Sequence, residues 1–280
     1  MLQKSHFDSR FYLKSLRIIA IVFVTLFMSC NGNLYTDMSN KNTEEALLES
    51  ALKAINSGDY DGAIVYLGKI TSAYRHDAAV SKAAAAAYAG KCGLNFFNMV
   101  TTITSVTAAT PLLLFMNAFT AVTVVPASCD SSQFEIETKY GTTSAARPAD
   151  INLFLAILGI AKMGTYLRSI ADPLQTGSVN ASFVDACAVG TITDAQTKEV
   201  GTGLGLLLDN IASLTAAVAG NSAITSLAAL QAACGAACVI TDVNSANWTA
   251  GNIKLIRSAI KSNSFGIQNC ANNPFVTCCP

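Results

Sequence analysis

Charged residues and histidines are scarce in this sequence. Asp, Glu, Lys and Arg together make up 13% of the 280 residues, whereas 51% are hydrophobic. One of the two histidines lies within the first thirty residues, so only His76 remains beyond them as an imidazole base or metal ligand. We expect His76 to lie at the surface, at the end of a helix. The sequence therefore predicts a protein that is not an enzyme and holds no metal or cofactor.

Signals for strands and for nucleotide or calcium sites are also missing. No run alternates between apolar and polar residues and ends in hairpin turns, so the predicted fold class is all-α. The glycines between Gly201 and Gly205 lack the spacing and the preceding strand of a dinucleotide site, and we predict that they lie at helix crossings. Four acidic residues lack calcium-loop spacing and are predicted to be helix caps or surface acids. They are Asp185, Asp194, Asp209 and Asp242.

The first thirty residues have the pattern of an export signal. Basic residues between Lys4 and Arg17 precede a charge-free apolar run from Ile18 to Ser29. About twelve residues, each rising roughly 1.5 Å, are too short to span a hydrocarbon core of about 30 Å comfortably. We therefore predict a signal peptide and not a permanent transmembrane anchor.

The end of this signal, L-F-M-S-C, resembles the lipobox of bacterial lipoproteins. The resemblance implies that residues 1–30 are a lipoprotein signal, removed up to residue 29, and that the Cys30 thiol carries a lipid, with acyl chains such as palmitate. Phe27 and Met28 are bulkier than the pattern usually has, and an ordinary secretory signal cut nearby is the alternative. Asn31 after the cysteine favours the outer membrane over the inner one. Residues 31–42 are polar and are predicted to be a flexible tether.

The net charge excludes an electrostatic attraction to nucleic acid. Residues 1–30 hold four basic and one acidic side chain, so the remaining chain carries 14 basic and 17 acidic residues. A chain with this small negative excess has no basic surface by composition. We therefore expect no nucleic-acid partner, and contact with the membrane only through the acyl chains on Cys30.

Eight cysteines remain besides Cys30, an even number that predicts up to four disulfides in an oxidising compartment such as the periplasm. They are Cys92, Cys129, Cys187, Cys234, Cys238, Cys270, Cys278 and Cys279. A metal site is the alternative, but its usual C-x-x-C or nearby histidine spacing is missing. Eight cysteines allow 105 pairings. The pair that we favour joins Cys92 to Cys129, which bracket one apolar segment.

Residues 43–95 resemble about one and a half tetratricopeptide repeats. A helix from residue 43 or 44 is stopped at Ser57-Gly58-Asp59, and a second helix is predicted from Tyr60 to about Tyr74. The residues that carry the resemblance are Ala51, Gly58, Tyr60, Ala63, Leu67, Ala85 and Tyr88. The resemblance implies that small residues at the crossings let the helices approach closely. Arg75 and Ile70 depart from the pattern, and so few repeats must pack on the rest of the chain.

The composition of the chain divides residues 43–280 into three regions. We predict a repeat-like helical region over residues 43–125, a polar loop over 126–148, and a Cys-rich helical region over 149–280 packed on the first. The charge-free runs 92–129 and 210–241 are predicted to be buried helices, and a membrane hairpin is the alternative for the first.

Several helices are expected in the C-terminal region. One follows Asp150, with Lys162 and Arg168 marking its solvated side. Others are predicted over residues 181–187, 194–219, 222–238 and 249–262. Trp248 either anchors a partner or packs at the edge of a domain.

Two function classes fit this pattern. The first is a lipid-anchored interaction or scaffold protein of the cell envelope that holds a protein or peptide on its helical-repeat surface. The second is a carrier of a small or hydrophobic ligand, or a transport accessory protein. The two differ in whether the apolar helices fill their own core or line a cavity.

Overall fold

The fold of the described residues is helical. The computed structural model describes residues 42–95, 99, 101, 110–120, 122–217, 227, 230–232, 234–270 and 275–280. Within these ranges there is no strand, and the β pairing consists of one isolated bridge between Ser262 and Cys270. The all-α prediction is confirmed. The predicted signal peptide with Cys30 and the tether up to residue 41 lie outside the described residues.

The structure describes ten α-helices in the ranges given above. In chain order they are α1 (Glu44–Asn56), α2 (Tyr60–Gly68), α3 (Ser72–Arg75), α4 (Ala78–Cys92), α5 (Pro111–Asn117), α6 (Ala127–Tyr140), α7 (Ala149–Ala171), α8 (Asp194–Asp209), α9 (Ile211–Ala217) and α10 (Ala250–Lys261). Residues 47–280 form one unit, and Met1–Ala46 form another, of which the structure describes only the start of α1.

Side chains cap the first turns of α1 and α2. Thr43 Oγ1 accepts a hydrogen bond from the Ala46 amide at 3.3 Å at the start of α1. Asp59 caps α2 by accepting from the Gly62 amide at 2.9 Å. Between these helices Gly58 has φ +80, a conformation that glycine adopts without a steric cost. The predicted second helix is shorter than expected, because α2 ends at Gly68 and the separate turn α3 follows.

A small core joins α1, α2 and α4. Alanine and leucine side chains, among them Ala51, Ala63 and Leu67, are buried in it. The face of α4 that carries Ala85 packs against α6 and belongs to the larger core. Ser132 of α6 strengthens this contact, because its hydroxyl donates to the Ala85 carbonyl at 2.7 Å. α4 therefore connects the two cores.

The larger core surrounds α7. This helix packs against α5, α6, α8 and α9. Of the described helices, α7 is the one that is long and apolar enough by itself to cross a membrane, and 72% of its apolar window is buried inside the protein. α8 and α9, which are bent by 63° at their junction, pass that test only as a pair. The expected solvated side of α7 is wrong, because Lys162 and Arg168 are buried against the helices that surround it.

Three other segment predictions need correction. The predicted polar loop 126–148 contains α6, whose polar residues contact other parts of the protein and do not mark a loop. Residues 181–187 form turns, because side chains such as Asp185 bond nearby backbone amides. The predicted helix 194–219 divides at Asn210 into α8 and α9. The prediction for 222–238 falls largely outside the described residues, and its end, Gly235–Cys238, is a 3-10 turn.

All eight of the cysteines beyond Cys30 are paired. The favoured bond between Cys92 and Cys129 is present, with the two Cα atoms 5.3 Å apart. The other pairs join Cys187 to Cys279, Cys234 to Cys238, and Cys270 to Cys278. The four bonds agree with the prediction of up to four disulfides.

Candidate functional site

A cleft of about 630 Å³ lies between α6, α7 and the segment 241–244. We call it the acidic cleft. α6 lines it with Asp130, Gln133, Phe134 and Glu137, whose i, i+3, i+4, i+7 spacing places them on one face of the helix. The other lining residues are Thr142, Lys162, Thr241, Asp242, Val243 and Asn244.

Lys162 is the buried cation of the acidic cleft. Its side chain is 2% exposed, and its Nζ forms ion pairs with Asp130 Oδ1 and with Glu199 Oε2, the latter at 3.1 Å. The hydroxyl of Tyr166, one turn further along α7, donates to Asp130 Oδ2 at 3.2 Å. Both carboxylates that face Lys162 are thus drawn towards α7, and the lysine charge is matched inside the protein.

Burial sets the protonation of the groups around Lys162. It raises the pKa of Tyr166, and the carboxylates of Asp130 and Glu199 raise it further, so the hydroxyl remains a hydrogen-bond donor. Burial also raises the pKa of Glu199; the charge of Asp130 adds to this rise, while Lys162 opposes it. Tyr166 is therefore a fixed donor to Asp130 and not a base.

Arg147 is a second buried cation close to the cleft. Its Nη2 atom donates to Asp209 Oδ2 at 2.9 Å and to Asn210 Oδ1 at 3.2 Å. The distance from its Nη1 atom to Glu137 Oε1 is longer, at 3.8 Å. Asp209, expected to be a cap or surface acid, is thus the main countercharge of a buried arginine at the end of α8.

Glu137 lies on the wall of the acidic cleft formed by α6, and Asp242 lies on the wall formed by residues 241–244. Gln133 connects these two walls through hydrogen bonds. The Gln133 Nε2 atom donates to Glu137 Oε1 at 2.9 Å and to the Thr241 carbonyl at 3.0 Å. Burial raises the pKa of Glu137, and Asp242 adds to the rise; the Gln133 hydrogen bond and the nearby cations oppose it. Both carboxylates line the same cleft.

The charges at and beside the cleft do not balance. Among the described residues, five carboxylates and two cations meet there, which leaves three negative charges in excess when all are ionised. They are Asp130, Glu137, Glu199, Asp209 and Asp242, against Lys162 and Arg147. Such a site attracts a cationic group and repels an anionic one.

The wall formed by residues 241–244 is held in place by Trp248. The indole Nε1 donates to the Asp242 carbonyl at 3.0 Å, and the Asp242 side chain accepts from the Asn244 amide at 2.9 Å. The half-buried ring packs on α8 at Gly201, where an added Cβ would lie 2.5 Å from it. A Cβ at Gly203 would similarly meet Met163 of α7, at 2.9 Å, so Gly203 lies at a helix crossing as predicted, whereas a Cβ at Gly205 would meet the Ile240 backbone outside any helix.

The residues predicted to matter for packing lie away from the acidic cleft. Ala51, Ala63, Leu67 and Ala85 are buried. Tyr60 and Tyr88 are half-buried, and Gly58 lies in the turn between α1 and α2. The Tyr60 ring contacts α4 so closely that a Cβ at Gly90 would overlap it. His76 is exposed, as expected.

The residues of the cleft were not predicted as a site. Asp130 and Glu137 lie in the segment that the sequence predicts to be a loop, and the sequence predicts a solvated position for Lys162. One signal was available, because D-S-S-Q-F-E-I-E from Asp130 to Glu137 has helical spacing of polar residues around one phenylalanine. The partners from α7, α8 and residue 242 could not be foreseen from it.

Comparison with known proteins gives no relative to guide the interpretation. No protein-family model, no curated protein and no solved structure matches this chain. Within the described ranges, no group of three or more His, Cys, Asp and Glu side chains is placed to hold a metal ion. What the cleft binds must therefore follow from its own residues.

Proposed function

We propose that this protein is a lipid-anchored interaction protein of the bacterial cell envelope that holds a protein or peptide partner in its acidic cleft. The observation that carries the proposal is the cleft itself, which combines an excess of carboxylates with Phe134, a side chain that is 67% exposed. Exposed aromatic residues beside charged and hydrogen-bonding groups are typical of the anchor points of protein interfaces.

In this proposal the tetratricopeptide-like helices support the cleft. α4 packs behind α6, to which the Cys92–Cys129 disulfide and the Ser132 hydrogen bond fasten it. The partner surface is then the opposite, cleft-lining face of α6, and not the repeat surface that the resemblance implies.

The anchor rests on the sequence of the export signal. The lipobox-like segment ending at Cys30 provides the attachment site, and the polar residues after it provide a tether. Eight paired cysteines favour an oxidising compartment such as the periplasm. Asn31 favours the outer membrane. A tethered protein meets its membrane partners at a raised effective concentration, which suits a scaffold.

The carrier alternative is less well supported. The described apolar residues of the two charge-free runs, such as Leu112, Phe115, Met116 and Leu214, are buried in the larger core. The acidic cleft is lined by ionised groups, which an apolar ligand would have to desolvate without compensation.

The anchor is tested by metabolic labelling with palmitate. Wild-type protein should be labelled and recovered with the membranes, whereas Cys30→Ala should lose the label and be released on mild washing. A Cys30→Ala protein that stays in the membrane as an integral protein would contradict the lipid anchor.

The partner is tested by photocrosslinking in the native host. A photoreactive amino acid at position 134 should give a discrete crosslinked species, while the same amino acid at Val65, which is also exposed, should not. The Glu137→Gln and Asp242→Asn changes should weaken the crosslink at 134. Equal crosslinking at 134 and 65, or none at 134, would overturn the proposal.

A further inference from the structure

Two carboxylates of the acidic cleft, Glu137 and Asp242, have no short ion pair with a cation among the described residues. Lys162 is matched by Asp130 and Glu199. Arg147 lies 2.9 Å from Asp209 but 3.8 Å from Glu137. In the described part of the chain no cation forms an ion pair with Asp242, whose Oδ1 accepts only a backbone amide. Glu137 and Asp242 thus line the same cleft, Glu137 with only the longer contact to Arg147 and Asp242 with no ion pair among the described residues.

An exposed aromatic ring stands beside this pair. Phe134 precedes Glu137 by three residues on the same face of α6 and lines the same cleft. The face of an aromatic ring attracts a cation, and the alkyl chain of lysine or arginine packs on apolar surface. This exposed ring is an observation independent of the charges, and it favours the same kind of group.

We propose that the partner inserts a lysine or arginine side chain into the acidic cleft, with the cationic group between Glu137 and Asp242 and the alkyl chain on Phe134. The inference rests on the proposed function and names the chemistry that this site recognises. The ligand supplies a close cation, which the described residues do not provide to Asp242 and which Arg147 provides to Glu137 only at 3.8 Å.

The size of the cleft favours a peptide segment over a free amine. A volume of about 630 Å³ is in the range of pockets that enclose whole ligands of about 300–1,000 Å³. Beyond the carboxylates the lining continues to Thr142, Val243 and Asn244, which offer hydrogen bonds and apolar contact to residues flanking the cation. The occupant is therefore a short stretch of chain around one basic residue.

The test uses the full-length protein in detergent and a library of fluorescent hexapeptides in which each position is fixed in turn as Arg, Lys, Glu or norleucine. Fluorescence anisotropy should show that peptides with Arg or Lys at one position bind at least about tenfold more tightly than those with norleucine. Raised salt should weaken the binding.

Matched variants show whether the preference belongs to the cleft. Glu137→Gln and Asp242→Asn should each reduce the affinity for the basic peptides by about tenfold. Glu49→Gln, which removes the same charge from the exposed surface of α1, should leave it unchanged. Circular dichroism confirms that each variant is folded.

The outcomes separate this inference from the proposed function. Equal binding of basic and norleucine peptides, or an equal loss in Glu49→Gln, would overturn the inference. Binding of spermidine but of no peptide would identify a free amine as the occupant and would also overturn it. If the crosslink at position 134 persists without a preference for basic peptides, the proposed function stands and only the inference fails.

Discussion

At the scale of single residues, the charges of Lys162 and Arg147 are buried, and each is met by acidic side chains from other helices. A buried ion pair adds little net stability, because both ions lose their hydration, but removing one partner leaves an uncompensated charge. Lys162 is the clearest case, since it is 2% exposed between Asp130 and Glu199.

Replacing Lys162 should therefore destabilise the protein strongly. Lys162→Met should lower the free energy of unfolding by about 3–5 kcal/mol, because Asp130 and Glu199 are left facing each other without a cation. The change is measured by chemical denaturation at neutral pH.

A variant in which Lys162 and both of its acidic partners are neutral provides the control for this change. Lys162→Met combined with Asp130→Asn and Glu199→Gln removes all three charges and should recover most of the lost stability. If the triple variant is as unstable as Lys162→Met, lost packing and not charge explains the effect.

Glu137 should make the stability of the protein depend on pH. The pKa of Glu137 is raised in the folded state, so the folded protein favours the protonated carboxyl. The stability that this protonation contributes is fully present below the ordinary pKa of glutamate and is lost as pH rises through the raised value. The melting temperature of Glu137→Gln, relative to that of the wild type, should therefore increase as pH rises through this window. For the exposed Glu49→Gln, the difference in melting temperature from the wild type should not depend on pH. A difference that is also independent of pH for Glu137→Gln would contradict the raised pKa of Glu137.

At the scale of helices, local signals predict the elements that are fixed by local contacts. α1 and α10 begin at threonine caps and lie within one residue of the expected bounds. α6 was missed because its polar residues serve the cleft and the contact with α4. The turns over residues 181–187 were missed because they depend on Gln268, a residue far along the chain that bonds Phe183 and Ala186.

The approach of α7 to α8 should not tolerate a methyl group at Gly159. A Cβ there would lie 2.6 Å from the Gly203 carbonyl and 2.7 Å from the Leu207 amide nitrogen. Gly159→Ala should cost about 1–3 kcal/mol or more, because backbone atoms would have to move apart. Thermal unfolding measures this loss.

Gly68 is the matched control on another helix. Apart from its chain neighbours and the backbone of its own helix, no atom of the described residues lies within 4 Å of a Cβ added there, so Gly68→Ala should be neutral or should stabilise the protein by about 0.4–1 kcal/mol. Similar losses from both substitutions would show that α7 and α8 are not in close contact at Gly159.

At the scale of the whole molecule, the all-α class and the existence of disulfides could be predicted, whereas the acidic cleft could not. Composition and the cysteine count determine the first two. The cleft depends on bringing Asp130, Lys162, Glu199 and Asp242 together from distant parts of the chain. No spacing in the sequence encodes that arrangement.

The disulfides should differ in their contribution to stability. Cys187–Cys279 spans 92 residues and Cys270–Cys278 spans eight. On the chain-entropy account, losing the first costs about 4.5 kcal/mol and losing the second about 2.5 kcal/mol. Denaturation of the two double-alanine variants tests the order, and equal losses would show that loop entropy does not dominate.

Cys278 and Cys279 are neighbours that belong to different disulfides, with Cys270 and Cys187 as their respective partners. The exchanged bond from Cys270 to Cys279 would close a loop only one residue longer than the native bond from Cys270 to Cys278. The entropy of closing these loops in the unfolded chain is therefore almost the same for the native and the exchanged bond. Selection must come from packing that forms after the first oxidation, through exchange between thiols and disulfides. We expect the yield of correctly folded protein to depend on a disulfide isomerase in its compartment.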